Sequence, residues 1–116
     1  MLSLKRDFKL IADLNNKNVF LTGAGNGIGR GIAMIMARQG ANLFITDIDL
    51  KSAQETVNIL NTDKNFSCKL DVTNIDSITN AVNKCIAQYG KIDILVNNAG
   101  IPEPQNSSLS KQEIYD

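Results

Sequence analysis

The 116-residue chain predicts an α/β domain, a doubly wound parallel sheet carrying helices on both faces. Three observations point to it. Short apolar runs alternate along the chain with stretches whose apolar residues recur at helical spacing. A glycine-rich turn, Thr22-Gly23-Ala24-Gly25-Asn26-Gly27-Ile28-Gly29, joins the first run to the first helical stretch. The composition, 43% apolar and 21% charged, is that of a folded water-soluble domain rather than a disordered chain.

The elements follow in order. Residues 1–17 form a polar-rich lead-in. Val19 to Thr22 is a short apolar strand, and Ile28 to Gln39 a helix closed by Gly40, a common residue just past a helix end. Asn42 to Thr46 is a second strand. Leu50, Ala53, Val57 and Leu60 mark a second helix, with Asp49 placed to accept hydrogen bonds from its first turn. Phe66 to Leu70 reads as a third strand. Thr73 and Asp76 make a capping-box pattern ahead of a third helix, whose stripe runs Ile75, Ile78, Val82, Cys85, Ile86, Tyr89 and which Gly90 ends. Ile92 to Val96 is a fourth strand, almost wholly apolar, as expected of one covered on both faces. Ile101 to Leu109 reads as loop, and Ser110 with Glu113 as the capping box of another helix. The alternation β-α-β-α-β-α-β with right-handed crossovers implies strand order 3-2-1-4, the first half of a doubly wound nucleotide fold.

Composition narrows the function. Twelve basic and twelve acidic residues cancel, so no basic surplus points to nucleic acid or an anionic membrane. Absence of histidine removes a His general base, Ser-His-Asp chemistry and most zinc-site designs. Cys68 and Cys85 lack metal-ligand spacing and are too few for a disulfide framework; both are expected as small buried hydrophobes. Lys5, Arg6 and Lys9 are followed by no apolar h-region, so a cytoplasmic protein is expected.

Chemistry concentrates in the glycine turn. A helix starts with backbone N–H groups lacking intrahelical partners and with a positive dipole end, so an anion is stabilised there without a cationic side chain. The general G-x-G-x-x-G dinucleotide pattern does not fit, since its third glycine would fall on Ile28 or Arg30. The pattern that fits is T-G-x-x-x-G-x-G, with Thr22, Gly23, Gly27 and Gly29. No Gly-Lys-Ser/Thr follows, which excludes a Walker-type loop. Asp47 ends the second strand roughly 20 residues on, where a carboxylate accepts hydrogen bonds from adenosine ribose hydroxyls. Its charge would repel a 2′-phosphate, which favours NAD over NADP. Asp71 and Val72 follow the third strand, placed for an adenine amino group and ring nitrogen; a plain turn aspartate is the alternative. Asn97-Asn98-Ala99-Gly100 closes the fourth strand, at the sheet end where open α/β proteins bind ligands.

In this order and spacing, Thr22-Gly23-x-x-x-Gly27-x-Gly29, Asp47, Asp71-Val72 and Asn97-Asn98-Ala99-Gly100 resemble the short-chain dehydrogenase/reductase family, from about Leu14 to Gly100. The resemblance implies that residues 18–116 are a partial Rossmann-type NAD(P)-binding domain. Thr22, Gly23, Asn26, Gly27, Ile28 and Gly29 would form the diphosphate loop. Asp47 would hold the adenosine ribose, Asp71 and Val72 the adenine, and Asn98, Ala99 and Gly100 the nicotinamide-side ribose. The implied activity is hydride transfer between NAD and an alcohol or carbonyl substrate, in a full-length form that is a homo-oligomer. The family's catalytic Ser and Tyr-x-x-x-Lys have no match here: Tyr89 and Tyr115 lack the lysine four residues on. The chain is therefore expected to carry the cofactor-binding half alone and to be inactive by itself. The alternative is a non-catalytic NAD-binding module, or a half-domain that pairs with another chain.

Overall fold

The structure is a computed structural model and describes residues 13–100. The expected loop at Ile101 to Leu109 and the capping box at Ser110 and Glu113 lie outside the described residues. Seven elements alternate: β1 (Asn18–Thr22), α1 (Gly27–Arg38), β2 (Asn42–Asp47), α2 (Leu50–Leu60), β3 (Phe66–Lys69), α3 (Ile75–Tyr89) and β4 (Ile94–Asn97). All strand pairs are parallel, and the sheet order is β3-β2-β1-β4, as the alternation predicted.

Because successive strand residues point to opposite faces, β1 and β2 supply two cores at once. Val19, Leu21, Leu43 and Ile45 pack on one face with Ala33 of α1 and Ala53 of α2. Phe20 and Phe44 turn to the other face, where Cys68, Leu70 and the α3 residues Ala81 and Cys85 cover them. All five β1 residues are buried, which is why this strand reads as a continuous apolar run. Both cysteines are free and buried, as expected. Tyr89 packs edge-on against Phe44 and Phe66, and its hydroxyl donates to the Lys64 carbonyl at 2.7 Å.

Two local readings change. The cap of α3 is Asn74, whose side chain accepts from the Ser77 N–H at 3.0 Å; Thr73 lies outside the helix and bonds to Asp71 instead. Two adjacent residues with capping side chains compete, and the Thr73 hydroxyl has a closer partner in the Asp71 carboxylate. At α2, whose end the sequence left open, the helix stops on Asn61 with φ +54. Asparagine tolerates this left-handed geometry better than most residues. The second change is β4, which starts at Ile94 and is covered on one face: Ile94 and Val96 pack with the α1/α2 core while Leu95 is 65% exposed.

Parallel pairing brings every strand's carboxyl end to one edge. Thr22 stands beside Asn97, and Asp47 beside Lys69. That edge carries the residues nominated from the sequence.

Candidate functional site

At the carboxyl edge, β1 runs into the glycine turn and the turn into α1. Gly23 takes φ +62, and a Cβ there would lie 2.9 Å from the Ala99 backbone, so the turn and the segment after β4 touch main chain to main chain. Gly27 takes φ +56, and a Cβ there would meet nothing within 4 Å. The position needs glycine for its backbone angle and leaves open space above it. Gly29 is the reverse case: a Cβ would sit 2.0 Å from the Gly23 carbonyl oxygen. The residue before α1, Asn26, makes no side-chain hydrogen bond to the helix. Asn26 therefore leaves the first turn of α1 without a side-chain cap of its own, the arrangement that favours an anion.

A second set of bonds ties the ends of β1 and β4. The Thr22 hydroxyl donates to Asn97 Oδ1 and accepts from the N–H groups of Asn98 and Ala99, each at 3.0 Å. Asn98 Nδ2 donates to the Gly23 carbonyl at 3.0 Å. Thr22 and Asn98 thus brace the turn with their side chains, and Ala99 presents a small residue beside it.

Two carboxylates flank the opening. Asp47 accepts from the Gly25 N–H at 2.9 Å through one oxygen and from the Asp49 N–H at 3.0 Å through the other. A carboxylate has about four lone-pair positions, so capacity for further donors remains. Asp49 caps α2, accepting from the N–H groups of Lys51 and Ser52, as its position predicted, which leaves Asp47 outside the cap. Asp71 accepts from the hydroxyl and the N–H of Thr73, and these bonds hold its carboxyl below the ordinary carboxylate range. Ionised, it is a pure acceptor.

All the nominated residues except Gly29 line one cavity of about 520 Å³, a size that suits a cofactor. Gly29 sits behind it, where helix and turn meet. Sequence reasoning missed several participants. Ile48, Leu70 and Thr73 also line the cavity, and Ile48 is 62% exposed beside it. Ile48, Leu70 and Val72 give the Asp47–Asp71 end an apolar wall; adjacency to the two aspartates was the available signal. Gly25 was missed because it falls between the spaced glycines of the pattern; its N–H is the turn's donor to Asp47. Arg30 and Thr56 were missed because they meet only in three dimensions: Arg30 Nε donates to Thr56 Oγ1 at 3.0 Å, and Arg30 Nη2 to the Gly25 carbonyl.

An open parallel sheet in 3-2-1-4 order, with an uncapped helix N-terminus and a strand-end carboxylate around one cavity, defines a Rossmann-type α/β protein. Within that class the chain belongs to the short chain dehydrogenase family, whose model matches residues 17–116. It is 33% identical over 103 residues to secoisolariciresinol dehydrogenase of Forsythia intermedia, covering 89% of this chain and 37% of that protein. Against galactitol 2-dehydrogenase of Agrobacterium fabrum it is 42% identical over 88 residues, covering 76% of this chain and 34% of the relative. Among solved structures, 3-ketoacyl-(acyl-carrier-protein) reductase from Brucella melitensis complexed with NADH superposes with a TM-score of 0.74 at 35% identity, covering 88% of this chain and 43% of that one. These relatives are dehydrogenases and reductases, and the family is one of NAD(P)-dependent oxidoreductases. The chain spans little more than a third of the length of the curated relatives it matches.

Proposed function

We propose that this chain is the cofactor-holding part of a short-chain oxidoreductase and that it binds NAD in preference to NADP. The observation that carries the reading is the pairing of an uncapped α1 N-terminus with the Asp47 carboxylate on one cavity. The α1 N–H groups and the open space over Gly27 would take the diphosphate. Asp47 would accept from the adenosine ribose hydroxyls, and its charge would repel a 2′-phosphate. Ile48, Leu70 and Val72 would cover the adenine while Asp71 accepts from its amino group. Asn98, Ala99 and Gly100 would border the nicotinamide-side ribose. The bound nucleotide would supply the hydride acceptor or donor for an alcohol–carbonyl pair.

In the family pattern the proton-transfer residues are a Ser and a Tyr-x-x-x-Lys. Tyr89 does not serve, because its hydroxyl is bonded to the Lys64 carbonyl on the α3 side of the sheet. Purified 116-residue chain is therefore expected to bind cofactor and turn over no alcohol. A cytoplasmic protein whose full-length form is a homo-oligomer belongs to the same proposal. The cytoplasmic part of it draws support from two free, buried cysteines. Among the described residues no helix is long and apolar enough to cross a membrane.

The test is calorimetric titration with NAD and NADP of the wild type and of Asp47→Ala. A charged hydrogen bond contributes about 1.5–3 kcal/mol, so the variant should bind NAD about tenfold to a hundredfold more weakly and lose its preference over NADP. An unchanged NAD-to-NADP affinity ratio would overturn the assignment of Asp47.

A further inference from the structure

The ribose-side carboxylate depends on a loop that is itself held from behind. Asp47 is oriented by two N–H groups, and they differ in kind. The Asp49 N–H belongs to the segment that follows Asp47 directly, whereas the Gly25 N–H comes from the glycine turn. The second contact is only as fixed as that turn. Behind the turn stands Thr56 of α2, fully buried, whose hydroxyl lies 2.7 Å from the Ala24 carbonyl and 3.1 Å from that of Gly25. Arg30 of α1 straddles the same point. Its Nε donates to Thr56 Oγ1 and its Nη2 to the Gly25 carbonyl, with the Ser52 carbonyl and Glu55 Oε2 each 3.4 Å from Nη2. The planar guanidinium presents two donors in a fixed fork, which a lysine ammonium on a flexible stem does not reproduce. The packing leaves no slack: a Cβ on Gly25 would lie 2.6 Å from Ser52 Cβ and 2.8 Å from Asp47 Oδ2.

We propose that Arg30 and Thr56 are positioning residues for Asp47: by clamping the Ala24–Gly25 carbonyls they aim the Gly25 N–H at the carboxylate and so set the discrimination between a free 2′-hydroxyl and a 2′-phosphate. The proposal rests on the reading of this cavity as the NAD site. It also gives Arg30 a defined part: the guanidinium nearest the turn is committed to carbonyls, a hydroxyl and Glu55, and serves the carboxylate from behind.

The experiment is a double-mutant cycle read by calorimetric titration with NAD and with NADP. Thr56→Val keeps the side-chain shape and removes the hydroxyl. It should weaken NAD about tenfold, the loss of roughly one well-placed hydrogen bond, and change NADP less than about twofold. In the Asp47→Ala background the same substitution should change neither affinity, because its effect passes through the carboxylate. Thr56→Ser should restore the selectivity, and Arg30→Lys, which keeps the charge, should repeat the Thr56→Val pattern. Should Thr56→Val fail to fold, Arg30→Lys alone and combined with Asp47→Ala makes the same comparison. Equal weakening of both dinucleotides, or an effect that persists without Asp47, would mean that the pair merely supports the fold and would overturn the proposal. Wild-type chain that binds neither dinucleotide would take down the site reading and this inference together; selective wild type with unselective losses would take down only the inference.

Discussion

Alanine at Gly29 and alanine at Gly31, two residues apart on α1, should have opposite effects. At Gly29 the new Cβ would stand 2.0 Å from the Gly23 carbonyl oxygen, 2.8 Å from its carbon and 2.7 Å from Asn98 Nδ2, where real Cβ contacts stay above 3.0 Å. The nearest atoms are main chain and cannot swing aside, so α1 must retreat by about 1 Å from the turn. Overpacking of that kind costs about 1–3 kcal/mol. Disturbing the Asn98–Gly23 hydrogen bond adds about 1 kcal/mol. Replacing a helical glycine returns about 1 kcal/mol, which leaves Gly29→Ala less stable by about 2 kcal/mol. At Gly31 a Cβ meets nothing within 4 Å, and only the propensity gain of about 1 kcal/mol remains. Urea denaturation followed by circular dichroism reads both. If the turn holds the cofactor as proposed, calorimetric titration with NAD should show the Gly29 variant at least about tenfold weaker, because the glycine turn has moved. A Gly29→Ala midpoint equal to or above wild type would refute the close-packed joint between helix and turn.

Other outcomes follow from the same geometry. Gly27→Ala forces a side chain to φ +56 at a cost of about 1–2 kcal/mol, and places a methyl group in the open space above the turn, so NAD affinity should fall further than stability does; unchanged affinity in calorimetry would count against a ligand there. Asn74→Ala should cost about 1 kcal/mol through loss of the α3 cap, while Thr73→Ala should leave that cap intact; urea midpoints separate the two. Burial pushes the Cys85 thiol up to about 11, and burial likewise raises Cys68 and the Tyr89 hydroxyl. The unfolded thiols release protons first, so stability should fall as pH rises through roughly 9 to 11, read by thermal melts; Cys85→Ala should flatten the slope. At the acid end, hydrogen bonds depress Asp49, Asp71 and Asp93 below the ordinary 3.8. Their contribution is present above that pH and should be lost as the pH falls below it.

How far the sequence could be read depended on how local each cause was. Val19 to Thr22 is legible as a strand because its apolar run reports burial on both faces. Asp49 is legible as a cap because its partners, the N–H groups of Lys51 and Ser52, lie two and three residues on. Thr73 misled because the same local rule admits its neighbour Asn74, and the choice turned on Asp71. The apolar stretch containing Leu95 implied cover on both faces, although composition cannot say how many layers exist over a strand. Gly25, Arg30 and Thr56 carry no pattern of their own; their importance comes from an arginine on one helix reaching a threonine on the next.

The order of strands and helices, the glycine turn and the strand-end carboxylate are consequences of residue type and spacing along the chain. Period, turn chemistry and helix-end polarity act over a few residues, so they are written in one dimension. Tertiary structure decided which face of β4 is covered, how Thr22 and Asn98 close the turn, and how Arg30 and Thr56 reach Asp47 through Gly25. Those depend on contacts between residues more than twenty positions apart, where distance and direction are settled only when the sheet and its helices pack together.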